Sequence, residues 1–115
     1  MSKRSDLVPL GDMYDAALET RDLVRDVSKD VFLASRTLQL SIVHLLQIIG
    51  EAARRVSVEI KTTHADIPWQ DIMGMRHKIV HDYTRIDLNE VWRTATEDVP
   101  TLIDALSKFM PSDPP

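Results

Sequence analysis

Within eight consecutive residues, Arg76-His77-Lys78-Ile79-Val80-His81-Asp82-Tyr83, the chain gathers two of its four histidines, an arginine, a lysine, a carboxylate and a phenol. An imidazole titrates at about pH 6.5, so His81 can accept or donate a proton near neutrality. The guanidinium of Arg76 presents a rigid fork of donors that matches the oxygens of a phosphate. Tyr83 adds a hydroxyl and a ring, which could position the histidine, stack on a base or hydrogen-bond a phosphate. Arg76 and His81 are the candidate catalytic pair. Tyr83, His77 and Lys78 are candidate supporting groups.

The spacing separates this cluster from accident. With nine Arg and four His in the chain, composition alone predicts about 0.3 pairs in which His follows Arg by five residues; requiring a Tyr two residues further lowers this to about 0.005. Spacing also sets a geometric problem. Five residues on an ideal helix turn the chain so that Arg76 and His81 point about 140° apart, whereas Tyr83 returns to within about 20° of Arg76. One unbroken helix does not aim Arg76 and His81 at a single phosphate. Either the helix unwinds at His81, or a cleft draws residues from two chains. His77 and His81 are four residues apart, the spacing of a zinc pair on a helix. No H-E-x-x-H glutamate lies between them and no clear third ligand follows, so neither a metal nor another cofactor is expected.

These residues need a scaffold, and the apolar periodicity supplies four helical segments. The first covers about residues 9–27, with Leu10, Met13, Ala17, Thr20, Val24 and Val27 spaced by three or four. A connector over 28–34 follows, with Phe32 and Leu33 expected to tuck onto the core. The second helix, capped by Ser35, carries Leu38, Ile42, Leu45, Ile49, Ala52 and Val56. A second row of Val43, Leu46, Gly50 and Ala53 widens its apolar face, to be buried within the bundle or against another copy of the chain. Glu51 interrupts that face, and could orient Arg76 or His81 or cap a neighbour. Residues 57–66 read as a loop holding His64, and His44 reads as a core-edge histidine. Ile67-Pro68-Trp69 opens the third helix with Pro68 at its first position; the helix carries Ile72, Met75, Ile79 and Val80 and frays over 81–83. The fourth begins near 87–89, and Pro100 is expected to kink it, since the period resumes in register. The expected fold is all-α, an antiparallel four-helix bundle that dimerises, built as one domain over 1–115 with flexible tails at 1–8 and 111–115.

Composition excludes several classes. The chain has 115 residues, 43% of them hydrophobic, no cysteine, three glycines and a net charge of −4. Disulfide scaffolds, thiolate metal sites and cysteine nucleophiles are out, as are Gly-rich nucleotide loops. No apolar run suggests a membrane span or a secretory signal, which fits a cytoplasmic protein. Net acidity argues against a non-specific nucleic-acid coat, though not against a small basic site.

The motif Arg-x4-His-x-Tyr on the third helix of a small all-α protein resembles the HepT group of the HEPN superfamily, toxins paired with minimal nucleotidyltransferase antitoxins. Ile48-Ile49-Gly50-Glu51-Ala52-Ala53-Arg54-Arg55 is similar to that group's second-helix segment. Gly74-Met75-Arg76 with Val80-His81-Asp82-Tyr83 is similar to its third, and Val91-Trp92 with Glu97-Asp98-Val99-Pro100 to its fourth. His77 stands where relatives often have Asn, and Asp82 where Gly is common. The resemblance implies a metal-independent endoribonuclease toxin acting as a homodimer on RNA, with tRNA and mRNA both open as substrates. It further implies silencing by the nucleotidyltransferase, for which Tyr83 is the motif's hydroxyl acceptor of AMP. The alternative is a catalytically silent binding module that serves as the nucleotidyltransferase's interaction subunit.

Overall fold

The computed structural model describes residues 3–82 and 85–111. Its two longest elements are α1 (Lys3–Val24) and α3 (Arg36–Arg55). They run antiparallel, because Asp12 early in α1 pairs with Arg55 at the end of α3 at 3.1 Å. Leu10, Met13 and Ala17 of α1 and Ile42, Leu46 and Ile49 of α3 all lie buried in one core. Each large apolar side chain there contributes about 1.5–3 kcal/mol through the area it withdraws from water. Ser35 caps α3 as expected, its hydroxyl accepting from the Leu38 N–H. The second apolar row is also buried inside the chain, Val43, Leu46 and Ala53 included. The breadth of the α3 face is therefore satisfied within the fold.

The start of α1 differs from the expected tail. The helix begins at Lys3 and carries Pro9 in its interior, where the ring costs one backbone hydrogen bond. A remote contact anchors these early turns. Asp6, only 5% exposed, accepts from the Ser57 backbone N–H at 2.9 Å and from the Ser57 hydroxyl at 2.7 Å. Two stretches read as irregular are short helices: α2 (Lys29–Ala34), capped by Ser28, and α4 (Val58–Thr63), capped by Ser57. In α2, Phe32 is fully buried, but Leu33 faces out at 41% exposure.

The third segment is two helices, α5 (Trp69–Met73) and α6 (Met75–Ile79), joined at Gly74. Pro68 is the residue before α5 rather than its first, and Trp69 Nε1 donates to the His64 carbonyl at 3.0 Å. A Cβ on Gly50 would lie 3.0 Å from the Ile72 carbonyl oxygen, so α3 and α5 pack backbone against backbone. After Ile79 the chain turns extended. Strand β1 (Val80–Asp82) pairs antiparallel with β2 (Arg85–Ile86), Val80 opposite Ile86 and Asp82 opposite Arg85. Strands this short carry no readable alternation.

The last segment comprises α7 (Leu88–Arg93), a π-helical turn (Thr94–Asp98) and α8 (Val99–Ser107). Asp87 caps α7 through the Glu90 N–H at 3.1 Å. Pro100 was expected to mark a kink; a π-turn directly precedes it, with the Val99 N–H reaching back to the Thr94 carbonyl. The missing Pro100 donor thus falls where the regular ladder is already interrupted. The fold class is all-α, with the hairpin as its one extended feature among the described residues. No helix is long and apolar enough to cross a membrane among the described residues.

Candidate active site

Met75 and Ile79, four residues apart on α6, are both buried and hold the helix against the core. Arg76, His77 and Lys78 lie between them and are all exposed. The helix ends at Ile79: Val80 adopts φ −119° and ψ 105°, and the backbone of His81 lies in β1. Of the two arrangements the spacing left open, the unwound helix is thus present within a single chain. Tyr83 lies outside the described residues. Neither the Arg76 nor the His77 side chain has an ion pair or hydrogen bond among the described residues.

The two flanks of α5–α6 differ sharply in charge. On one flank, Lys78 sits 3.8 Å from Asp71 and lines a groove of about 450 Å³ between α5–α6 and α7–α8. Arg93 is held at its far wall, donating to Glu90 at 2.6 Å and to Asp98 at 2.9 Å. The Arg93 hydrogen bond draws the Glu90 carboxyl below its ordinary range against the opposing effect of burial. Glu90 and Asp98 in return hold Arg93 more firmly protonated.

On the other flank, two cations from different helices converge on Met73. Arg54 Nη2 donates to the Met73 carbonyl at 3.0 Å, satisfying a carbonyl at the open end of α5. Lys61 Nζ lies 3.4 Å from the Met73 sulfur. Burial, and then the nearby Arg54 charge, push the Lys61 ammonium below its ordinary range, with Asp6 partly opposing. Glu51 lies 3.7 Å from Arg54 Nε and is largely exposed. No ion pair joins it to Arg76 among the described residues. Glu51 therefore sits as a neighbour's counter-charge on this flank. From sequence, Arg54-Arg55 reads as a solvated helix end with RNA contact as the lesser alternative, and Lys61, within a supposed loop, gives no signal at all.

Of the other histidines, His44 departs from expectation and His64 lies in a turn as expected. His44 is exposed rather than at the core edge, and His64 closes α4 with its ring edge-on to Phe109 at 4.6 Å between centroids. Trp69 is buried, while Trp92 is half-buried beside Phe32 at 5.2 Å. No group of three or more His, Asp or Glu side chains is arranged to hold a metal among the described residues.

A helical core that exposes an arginine on its third segment, then turns extended just before a histidine five residues on, defines the class: all-α proteins bearing Arg-x4-His-x-Tyr past a helix end. The family of HepT-like ribonucleases, described as "Ribonuclease HepT-like", matches residues 13–109, and the chain belongs to it. It is 33% identical over 107 residues to a protein of Thermococcus cleftensis named "Probable ribonuclease HepT", spanning 93% of this chain and 97% of the relative. It is 28% identical over 102 residues to a protein of Methanocaldococcus jannaschii whose name assigns it provisionally as an RNase, spanning 89% of this chain and 94% of that one. No solved structure matches the chain.

Proposed function

We propose that the chain is the ribonuclease toxin of a toxin–antitoxin pair, a cytoplasmic, metal-independent endoribonuclease silenced by a minimal nucleotidyltransferase. The observation that carries this reading is the end of α6 at Ile79. Arg76 stays on an exposed helical turn while His81 continues on β1, so the divergence of about 140° that a continuous helix imposes no longer governs the pair. In this reading neutral His81 accepts the proton of an RNA 2′-hydroxyl as that oxygen bonds to the adjacent phosphorus. The bond from phosphorus to the 5′-oxygen breaks, and that oxygen takes a proton from an imidazolium, leaving a 2′,3′-cyclic phosphate and a 5′-hydroxyl. Arg76 directs its fork at the non-bridging oxygens, where charge grows in the transition state.

One imidazole is short of the two needed at once, so we place the active form as a two-fold homodimer in which two His81 side chains act as acceptor and donor. Control follows from the remaining motif hydroxyl. The Tyr83 phenol oxygen attacks the α-phosphorus of ATP on the antitoxin, pyrophosphate leaves and the phenol proton is lost. The attached AMP sets a phosphate and a base beside Arg76 and His81, blocking by charge and by volume. The test is cleavage of RNA by the purified chain in EDTA, beside His81→Ala, with the cyclic phosphate read by mass spectrometry. Activity lost to chelator and restored by zinc would overturn the metal-free mechanism. Intact mass and peptide mapping of chain co-expressed with the antitoxin should show AMP on Tyr83, and silenced chain with unmodified Tyr83 would mean inhibition by occlusion alone.

A further inference from the structure

We infer that Arg54 and Lys61 form a phosphate subsite beside the Arg76 turn, which holds the sugar–phosphate backbone of the RNA next to the bond to be cut. The inference rests on the ribonuclease reading and extends it to residues outside the motif. Both cation heads meet Met73, one at its carbonyl and one at its sulfur. Met73 ends α5 and precedes Arg76 by only three residues, across the Gly74 junction that opens α6. Arg54 and Lys61 therefore meet the chain three residues before the Arg76 turn.

The charges there are poorly neutralised. Glu51, at 3.7 Å from Arg54 and mostly in solvent, is the counter-charge paired with this group. Asp6 on α1 partly offsets the repulsion that Lys61 feels, though its two oxygens already accept from the Ser57 N–H and hydroxyl. Lys61 feels Arg54 as a repulsive neighbour, and its burial makes that repulsion more costly. A phosphate set between the two cations would relieve that repulsion. In Arg54, Nη2 is spent on Met73 and Nη1 has no hydrogen bond among the described residues, so the fork has a donor left to give. A phosphodiester offers the matching acceptor oxygens. The groove on the opposite flank does not compete for RNA, because its walls carry Asp66, Asp71, Glu90 and Asp98 against only Lys78 and Arg93.

The test is RNA binding as a function of salt. The full chain carrying His81→Ala, which keeps the substrate intact, is titrated with a labelled single-stranded RNA across a salt series. Each phosphate contact adds about 0.7 to the steepness of log K against log salt for a single strand. Lys61→Gln and Arg54→Gln should each lower that steepness by about 0.7 and weaken binding several-fold at low salt. Arg54→Lys, which keeps the charge, should restore the steepness. Lys108→Gln, whose ammonium sits 3.9 Å from Asp66 on the acidic side, should change nothing. In the cleaving chain, Lys61→Gln should raise KM and leave kcat alone, the signature of a contact made equally before and during reaction. Unchanged salt dependence in both Gln variants, with unchanged circular dichroism, overturns the inference, and does so even if the wild-type chain cleaves RNA. Loss of steepness in a chain that binds but never cleaves supports the subsite while overturning the ribonuclease reading. No RNA binding at all overturns both.

Discussion

The two flanks of the α5–α6 segment hold similar numbers of cations and put them to opposite ends. In the groove, Arg93 is clasped by two carboxylates and Lys78 stands near Asp71. Those charges are consumed in holding α7 and the π-turn in place, and an incoming phosphate would meet more carboxylate than cation. Across the helix, Arg54 and Lys61 crowd one residue, and Arg76 and His77 point into solvent without partners among the described residues. The groove between α5–α6 and α7–α8 is thus poorly suited to a phosphate chain. In the proposed reading, unneutralised charge rather than depth marks the face that meets RNA. The contrast gives the proposed ribonuclease, with its net charge of −4, a local set of less neutralised cations through which to meet RNA.

The largest effect that tests this contrast is at Arg76. Arg76→Ala should lower kcat for RNA cleavage by about 10²–10³-fold, the usual cost of removing a donor aimed at developing oxyanion charge. Arg76→Lys should recover little, because the fork is lost although the charge remains. Cleavage within a few-fold of wild type in Arg76→Ala would remove the basic flank from the chemistry. Next comes the contact that holds both flanks in place. Gly50→Ala drives a methyl to within 3.0 Å of the Ile72 carbonyl and should destabilise the fold by about 1–3 kcal/mol, read by urea denaturation.

A smaller effect is expected on the groove side. Arg93→Gln opens the clasp to Glu90 and Asp98 and should cost about 0.2–1 kcal/mol, since Arg93 is 41% exposed and the pairs are partly screened. Its RNA affinity and salt dependence should stay as in the wild type. A loss of salt steepness equal to that expected for Lys61→Gln would erase the distinction between the flanks. The smallest effect is in pH. The Glu90 carboxyl is drawn down in the folded chain by Arg93, so its stabilisation is present above the unfolded value of about 4.3 and disappears as pH falls through the lower folded value. Thermal midpoints followed from neutral pH into that acid range should drop less steeply for Glu90→Gln than for the wild type.

Legibility from sequence was uneven, for physical reasons. The α3 helix could be read almost residue by residue, from the Ser35 cap to Val56, because its cap and apolar spacing are local. The candidate site was legible as Arg76, His81 and Tyr83 through their spacing, and so was the conflict between that spacing and an unbroken helix. The start of α1 was misread, since what stabilises its first turns is the Asp6–Ser57 contact across fifty-one positions. The α4 helix was misread as a loop for the same reason, its Ser57 cap being part of that contact. Lys61 is anonymous as a letter; it becomes informative only once α4 carries its ammonium to the end of α5.

The sequence by itself determined the fold class, the order of the main helices and the motif that places the chain among HepT-like ribonucleases. Those features depend on period and spacing, which act within a turn or two of the chain. Only the tertiary structure decided that the wide apolar face of α3 is consumed inside the fold, that the chain leaves the helix at Ile79, and that the cations divide into a clasped set and an open one. The first follows from packing of α1 and α5 against α3. The second goes with a hairpin that gives the extended chain a pairing partner, and the third with which carboxylates the fold brings within reach of each ammonium or guanidinium. Each of these depends on atoms far apart in the chain meeting at a few ångströms, and no local pattern encodes such a meeting.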